Sequence, residues 1–229
     1  MIDPVDRLLE RLDYRFDDPR VLEEALTHRS VSECNNERLE FLGDSILNFV
    51  IASELFFLKQ DASEGALSRL RASLVNRETL AEIGRDLDLG DCLRLGSGEK
   101  KSGGRRRDSI LSDSVESILG AVYMDGGYAP CRDLILRLYA ERLRSLPEAQ
   151  ELKDPKTRLQ EYLQSSRHNL PSYEVIEVSG KAHQQIFDVE CRVEGVEAVT
   201  RGSAGNRRRA EQIAAKAMLE TLLAGETEQ

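Results

Sequence analysis

Asn36-Glu37-Arg38-Leu39-Glu40-Phe41-Leu42-Gly43-Asp44-Ser45 is the stretch on which the reading of this chain turns. At about 100° per residue, Glu37, Glu40 and Asp44 fall within roughly 60° of one another on one helix face. Leu39, Leu42, Ile46 and Phe49 lie on the opposite face and are expected to be buried. Three carboxylates gathered beside a core repel one another unless a cation offsets them. Arg38 is the one basic residue nearby in sequence, and it projects elsewhere on the wheel.

A second acidic pair, Asp113 and Glu116, stands at i, i+3 in Leu111-Ser112-Asp113-Ser114-Val115-Glu116-Ser117-Ile118-Leu119-Gly120, again within an apolar element. If the two helices pack together, four or five carboxylates converge. Hard oxygen ligands without His or Cys favour magnesium or manganese over zinc. Asp and Glu are mostly exposed, so solvated surface acids on two separate helices stay open as the alternative at this point.

Outward from these segments, the first 145 or so residues read as almost wholly helical. Apolar residues recur with helical period, as in Leu8/Leu9/Leu12, Val21/Leu22/Ala25/Leu26, Leu67/Leu70/Leu74, Leu80/Ile83/Leu87 and Leu134/Ile135/Leu138. Residues 96–104 read as a glycine-rich loop between helices. Residues 147–155 are polar, charged and bounded by prolines, which marks a linker. Beyond it the period changes. Residues 157–164 predict a short helix, and residues 173–178 a strand. Phe187, Val189, Cys191 and Val193 alternate with polar partners as in a half-buried strand, and residues 196–203 predict a third. A last helix over residues 207–223 carries Ala210, Ile213, Ala214 and Ala217 on one face. The expected fold class is therefore an all-α N-terminal domain followed by a small α+β module of order α-β-β-β-α, two helices on one face of an antiparallel sheet.

Composition bounds the function classes. The chain has 229 residues, 40% hydrophobic and 32% charged, with a net charge of −9. Residues 1–150 hold 21 Lys/Arg against 28 Asp/Glu, and residues 151–229 hold 11 against 13. Neither half is basic, so binding to a polyanion would rest on local clusters: Lys100-Lys101 with Arg105-Arg106-Arg107, and Arg207-Arg208-Arg209. The most apolar run, residues 46–58, is interrupted by Asn48, Ser53 and Glu54; it is expected to be a buried helix, and no segment is expected to span a bilayer. The start, Met1-Ile2-Asp3-Pro4-Val5-Asp6, lacks the character of a signal peptide, so a cytoplasmic address is expected. Cys34, Cys92, Cys131 and Cys191 are scattered, without a Cys-x-x-Cys pair, and are expected to be reduced and buried. His28, His168 and His183 lie in no nucleophile motif, which speaks against a serine or cysteine hydrolase.

The segment 36–45 resembles the signature of the ribonuclease III family in full. Residues 98–116, from Gly98-Glu99-Lys100-Lys101-Ser102-Gly103-Gly104 to Asp113-Ser114-Val115-Glu116, are similar to that family's second characteristic block. Asp154-Pro155-Lys156-Thr157-Arg158-Leu159-Gln160-Glu161 resembles the start of its double-stranded RNA-binding domain, so the likeness covers nearly the whole chain. It implies a catalytic domain over residues 5–127 with helical structure to about 146, a linker over 147–153 and an RNA-binding domain over 154–224. It also implies a homodimer that hydrolyses double-stranded RNA with Mg²⁺ or Mn²⁺, leaving 5′-phosphate and 3′-hydroxyl ends and a staggered cut, with no small-molecule cofactor. By the same resemblance, Glu40, Asp113 and Glu116 bind metal, Asp44 and Glu116 are catalytic, and Asp44 positions or activates the attacking water. Glu37 and Glu64 support the site, and Phe41 inserts into the partner subunit. Thr157, Gln160 and Glu161 on the first helix of the small module, His183 in a strand-connecting loop, and Arg207 and Arg208 at the last helix contact RNA. Precursor ribosomal RNA, with messenger and small RNAs, is the implied substrate.

Overall fold

Helix-start signals in the sequence account for several of the helix starts. In α1 (Pro4–Leu12) Asp3 caps the first turn, its side chain accepting from the Val5 N–H, and in α2 (Pro19–Ala25) Asp18 does the same for Arg20. Then follow α3 (Glu37–Leu58), α4 (Glu64–Leu74) capped by Ser63, α5 (Arg77–Asp86) capped by Asn76, and the short α6 (Leu89–Cys92). A five-residue α7 (Ser97–Lys101) and a 3₁₀ turn at Gly104–Arg106 lead into α8 (Asp108–Gly126), α9 (Tyr128–Leu138) and α10 (Ala140–Arg144). The computed structural model describes residues 3–147, 153–181 and 184–227, in two compact units, Met1–Ala149 and Gln150–Gln229.

In the first unit α8 is the central helix. It buries Leu111, Val115, Ile118, Leu119 and Val122, and α2, α3, α5 and α9 pack around it. The longest of these contacts is with α3, which buries Leu47, Val50, Ile51 and Leu55. The expectation for α3 was only partly right. Leu39 is buried, Leu42 and Ile46 are half-buried, and Phe49 is exposed. The helix is apolar nearly all round while α8 covers one side of it, so Phe49, Phe56, Phe57 and Leu58 stay in solvent rather than in a core. The same composition makes α3, by length and a mean hydropathy of 1.6, long and apolar enough to cross a membrane, which corrects the expectation that no segment is. Residues 96–104 are not wholly loop, because α7 occupies their middle: Gly96 precedes it and Lys100 and Lys101 lie in its last turn. Cys92, Cys131 and Cys191 are buried, whereas Cys34, in the turn before α3, is exposed; all four are free.

The second unit places α11 (Pro155–Ser165) and α12 (Arg207–Thr227) against a three-stranded antiparallel sheet, β1 (Ser172–Ser179), β2 (Ile186–Arg192) and β3 (Val199–Ala204), in the order β1-β2-β3. Cys191 on the central strand pairs with Tyr173 on one side and Thr200 on the other. Leu159 and Leu163 of α11 meet Ala214, Met218 and Leu219 of α12 over Cys191 and Val193. On α12 the buried face is Ala210, Ala214, Ala215 and Met218, and Ile213, expected inside, is 42% exposed. The helix is rotated so that its small residues approach the sheet, where a Cβ on Gly202 would lie 2.2 Å from the Ala210 carbonyl.

Candidate metal centre and duplex-binding surfaces

Glu40 and Asp44 project from the first two turns of α3, and Asp113 and Glu116 from α8. What brings the two helices to contact distance is a pair of glycines. A Cβ on Gly43 would stand 1.8 Å from the Glu116 carbonyl oxygen, and one on Gly120 would stand 2.2 Å from that of Leu39. The backbones therefore touch, and carboxylates one turn from the crossing are forced together. Oxygens of Glu40, Asp113 and Glu116 lie within 4.8 Å of one another, all three side chains half-buried.

The electrostatics fit a cation. Burial, followed by the charges of Asp44, Glu40 and Asp113, pushes the Glu116 carboxyl up to about 8. Glu40 is also raised, first by burial and then by Asp113 and Glu37, with Arg29 working in the opposite direction. Protonation of Glu116, which makes its carboxyl neutral, relieves the repulsion when no cation is present. The donor set is all carboxylate, which suits a hard divalent ion.

Asp44 stands just outside the group of three, with Oδ1 accepting from Asn48 Nδ2 at 2.7 Å. Glu37 forms an ion pair with Arg29 at 3.2 Å, so Arg38 is not the only cation near this face; Arg29 comes from the turn after α2, which helical spacing within one segment could not reveal. Glu64 opens α4 and accepts from Ser68 Oγ at 3.0 Å, without joining the three grouped carboxylates. Phe41 is 77% exposed beside them, which rules out a core role within the chain. A cavity of about 1220 Å³ around Leu9, Tyr14, Phe16 and Leu22 shares no lining residue with this centre.

In the second unit Thr157 Oγ1 donates to Asp154 at 2.7 Å, Gln160 is exposed, and Glu161 pairs with Lys153. Arg207 is not a free cation: Glu211, largely buried, receives Arg207 Nε at 2.8 Å and Lys156 Nζ at 2.7 Å, tying the first turns of α11 and α12 together. Arg208 and Arg209 are exposed and make no ion pair among the described residues. His183 lies outside the described residues. Asn36, Arg29, Asn48, Gly43 and Gly120 were not singled out from the sequence. For the glycines a signal existed, since each interrupts a run of larger apolar residues in a helix where Gly costs about 1 kcal/mol against Ala.

Comparison with known proteins places this geometry in context. Residues 18–143 match the family described as Ribonuclease-III-like, and residues 155–222 match the double-stranded RNA binding motif. The chain is 62% identical to Ribonuclease 3 of Alkalilimnicola ehrlichii over 96% of both chains, and 55% identical to Ribonuclease 3 of Hahella chejuensis over 94% of this chain and 95% of that one. The nuclease domain of ribonuclease III from Campylobacter jejuni superposes with a TM-score of 0.60 at 39% identity, covering 64% of this chain and all of that one. A second structure of that domain, which concerns flexibility in its dimer-forming region, gives 0.59 at 41% identity over 60% of this chain and 96% of that one.

Proposed function

Because the chain belongs to the ribonuclease III family, and so is an endoribonuclease with a double-stranded RNA-binding domain, we propose that it hydrolyses duplex RNA with Mg²⁺, replaceable by Mn²⁺, as a homodimer that cuts both strands. The observation that carries this is the meeting of Glu40, Asp113 and Glu116 within 4.8 Å at the α3–α8 crossing. These three would hold the cation. When bound, it lowers the pKa of water and offsets charge on the phosphorane-like transition state. Asp44, its Oδ1 fixed by Asn48, presents Oδ2 to orient the attacking water and accept its proton. Water oxygen bonds to phosphorus, the bond to the 3′ oxygen breaks with that oxygen taking a proton from solvent water, and the ends are a 5′-phosphate and a 3′-hydroxyl. Precursor ribosomal RNA and other structured transcripts are the proposed substrates.

One centre cuts one strand, so cutting both calls for a second copy across a twofold axis. The exposed Phe41, Phe49, Phe56 and Phe57 on α3 support this, since large apolar side chains left in solvent along one helix ask for a partner. The testing experiment is long duplex RNA incubated with Mg²⁺ or with chelator, beside sedimentation of the protein alone. Short duplexes with 5′-phosphates, formed only with the metal, and a species of twice 25.8 kDa are expected. Cleavage that continues in chelator sinks the metal centre, and a monomer at working concentration sinks the dimer.

Duplex binding by the second unit is proposed to use α11 across a minor groove and the start of α12 on phosphate. With Arg207 engaged by Glu211, Arg208 is the freer contact. Arg208→Ala should weaken binding and flatten its log–log salt dependence by about one unit, and Arg207→Ala by less. Titration of a labelled duplex in Ca²⁺ at several potassium concentrations reads the slope. An unchanged slope for Arg208→Ala removes the last helix from the phosphate grip.

A further inference from the structure

A polar cleft of about 530 Å³ opens beside Glu40 and Asp113, and its walls contain groups that a metal site does not need: Arg29, Asn36, Arg107, Ser109 and His28. The N-terminal ends of α3 and α8 meet at it. Neither helix is closed there by its own N-cap side chain. Asn35 Oδ1 takes the Glu37 N–H at 3.0 Å, and Arg107 is turned away to Glu99 and Ser102. Helix starts of this kind present N–H groups and partial positive charge to an anion.

Asn36 adds an independent sign of a ligand. It is only 4% exposed and lines the cleft, yet its side-chain amide makes no hydrogen bond among the described residues. Its amide is open to the solvent of the cleft, where an incoming acceptor can take its N–H without displacing a protein partner. Arg29 and Arg107 are held by Glu37 at 3.2 Å and Glu99 at 2.8 Å. Ion pairs this exposed are worth about 0–1 kcal/mol, so a phosphate can draw the guanidinium groups over at little cost. His28 Nδ1 accepts from the Ser30 N–H at 3.1 Å, which puts the proton of the neutral ring on Nε2 as a further donor.

We propose that this cleft is a phosphate subsite. It takes a non-scissile phosphodiester of the strand being cut, adjacent to the one at the carboxylates, and Asn36 Nδ2 is its positioning donor. The subsite presupposes the duplex-RNA nuclease activity proposed above. It recognises backbone and carries no base preference; it fixes the register of the strand so that one phosphodiester lies over Glu40, Asp113 and Glu116.

Asn36→Ala removes the amide without breaking any side-chain hydrogen bond, and Asn36→Asp keeps its shape while adding a repulsive charge. Inorganic phosphate is a probe that needs no catalysis. Its ³¹P resonance should broaden saturably with the full-length wild-type protein and much less with either variant. On long duplex RNA, kcat/KM should fall at least about tenfold for Asn36→Ala and further for Asn36→Asp, with the melting temperature and Mn²⁺ binding of Asn36→Ala unchanged. If Asn36→Ala proves unstable, Asn36→Asp, which suits a helix start, decides the matter. Equal phosphate broadening in wild type and variants, or wild-type kcat/KM in both, overturns the subsite. A wild-type protein that cleaves no RNA overturns the nuclease activity instead, and the phosphate titration alone then decides the subsite.

Discussion

Glu116→Gln is expected to reduce duplex cleavage in Mg²⁺ on the order of a thousandfold while leaving duplex affinity nearly unchanged. The change removes one anionic ligand at almost constant shape, so several kcal/mol of transition-state stabilisation go with it. Single-turnover cleavage beside a binding titration separates the two, and wild-type turnover in the variant would remove Glu116 from the centre. The same variant should behave differently toward pH. In the metal-free wild type the folded Glu116 carboxyl sits at about 8, above its ordinary 4.5. Its contribution to stability is therefore fully present below about 4.5 and is lost as pH rises through about 8. Glutamine cannot ionise, so in chelator the variant should gain melting temperature over wild type between about pH 5 and about pH 9. A constant difference across that window contradicts the placement of Glu116 among Asp44, Glu40 and Asp113.

Gly43→Ala should unfold the first unit more readily than any surface change in it. Its Cβ would enter within 1.8 Å of the Glu116 carbonyl oxygen, and backbone cannot swing aside as a side chain can. A loss of at least about 3 kcal/mol follows, which lowers the melting temperature by roughly 10 °C. Gly120→Ala meets the Leu39 carbonyl at 2.2 Å and should act alike. Where the protein still folds at low temperature, α3 and α8 must have parted, so cleavage should fall more than duplex binding does. A melting temperature within about 2 °C of wild type would show that the helices are not locked at this crossing.

The helical first unit and the α-β-β-β-α module were legible because each rests on a local period: apolar residues every three or four positions along α8, strict alternation from Phe187 to Val193. The membership of Asp113 and Glu116 in the same centre as Glu40 was legible as a resemblance and as a conditional, since no single-helix pattern says which helices touch. Burial along α3 was misread for a related reason. An all-apolar helix has no preferred inner face until its neighbour is known, and α8 selects Leu47, Ile51 and Leu55 over Phe49. Asn36 and Arg29 were invisible because their meaning comes from segments far apart in sequence, around residues 28–37 and 99–109. Arg207 was read as a phosphate contact from its place at a helix start; its commitment to Glu211 depends on Lys156 arriving from α11.

The touching backbones at Gly43 and Gly120 also set how the centre responds to ionic radius. Two helices already in contact cannot close on a small ion, and parting for a large one sacrifices packing along the whole of α8. The jaw is stiff, and all accommodation falls to side-chain torsions, of which Glu40 and Glu116 each have one more than Asp113. Mg²⁺ bonds oxygen at about 2.0–2.1 Å and Ca²⁺ at about 2.3–2.6 Å. A larger ion would then have to be met by outward rotation of the Glu40 and Glu116 side chains rather than by movement of the helices. Calorimetry should register Ca²⁺ entering the centre in the same solution in which duplex RNA stays uncut; Ca²⁺-supported cleavage would mean that the crossing yields.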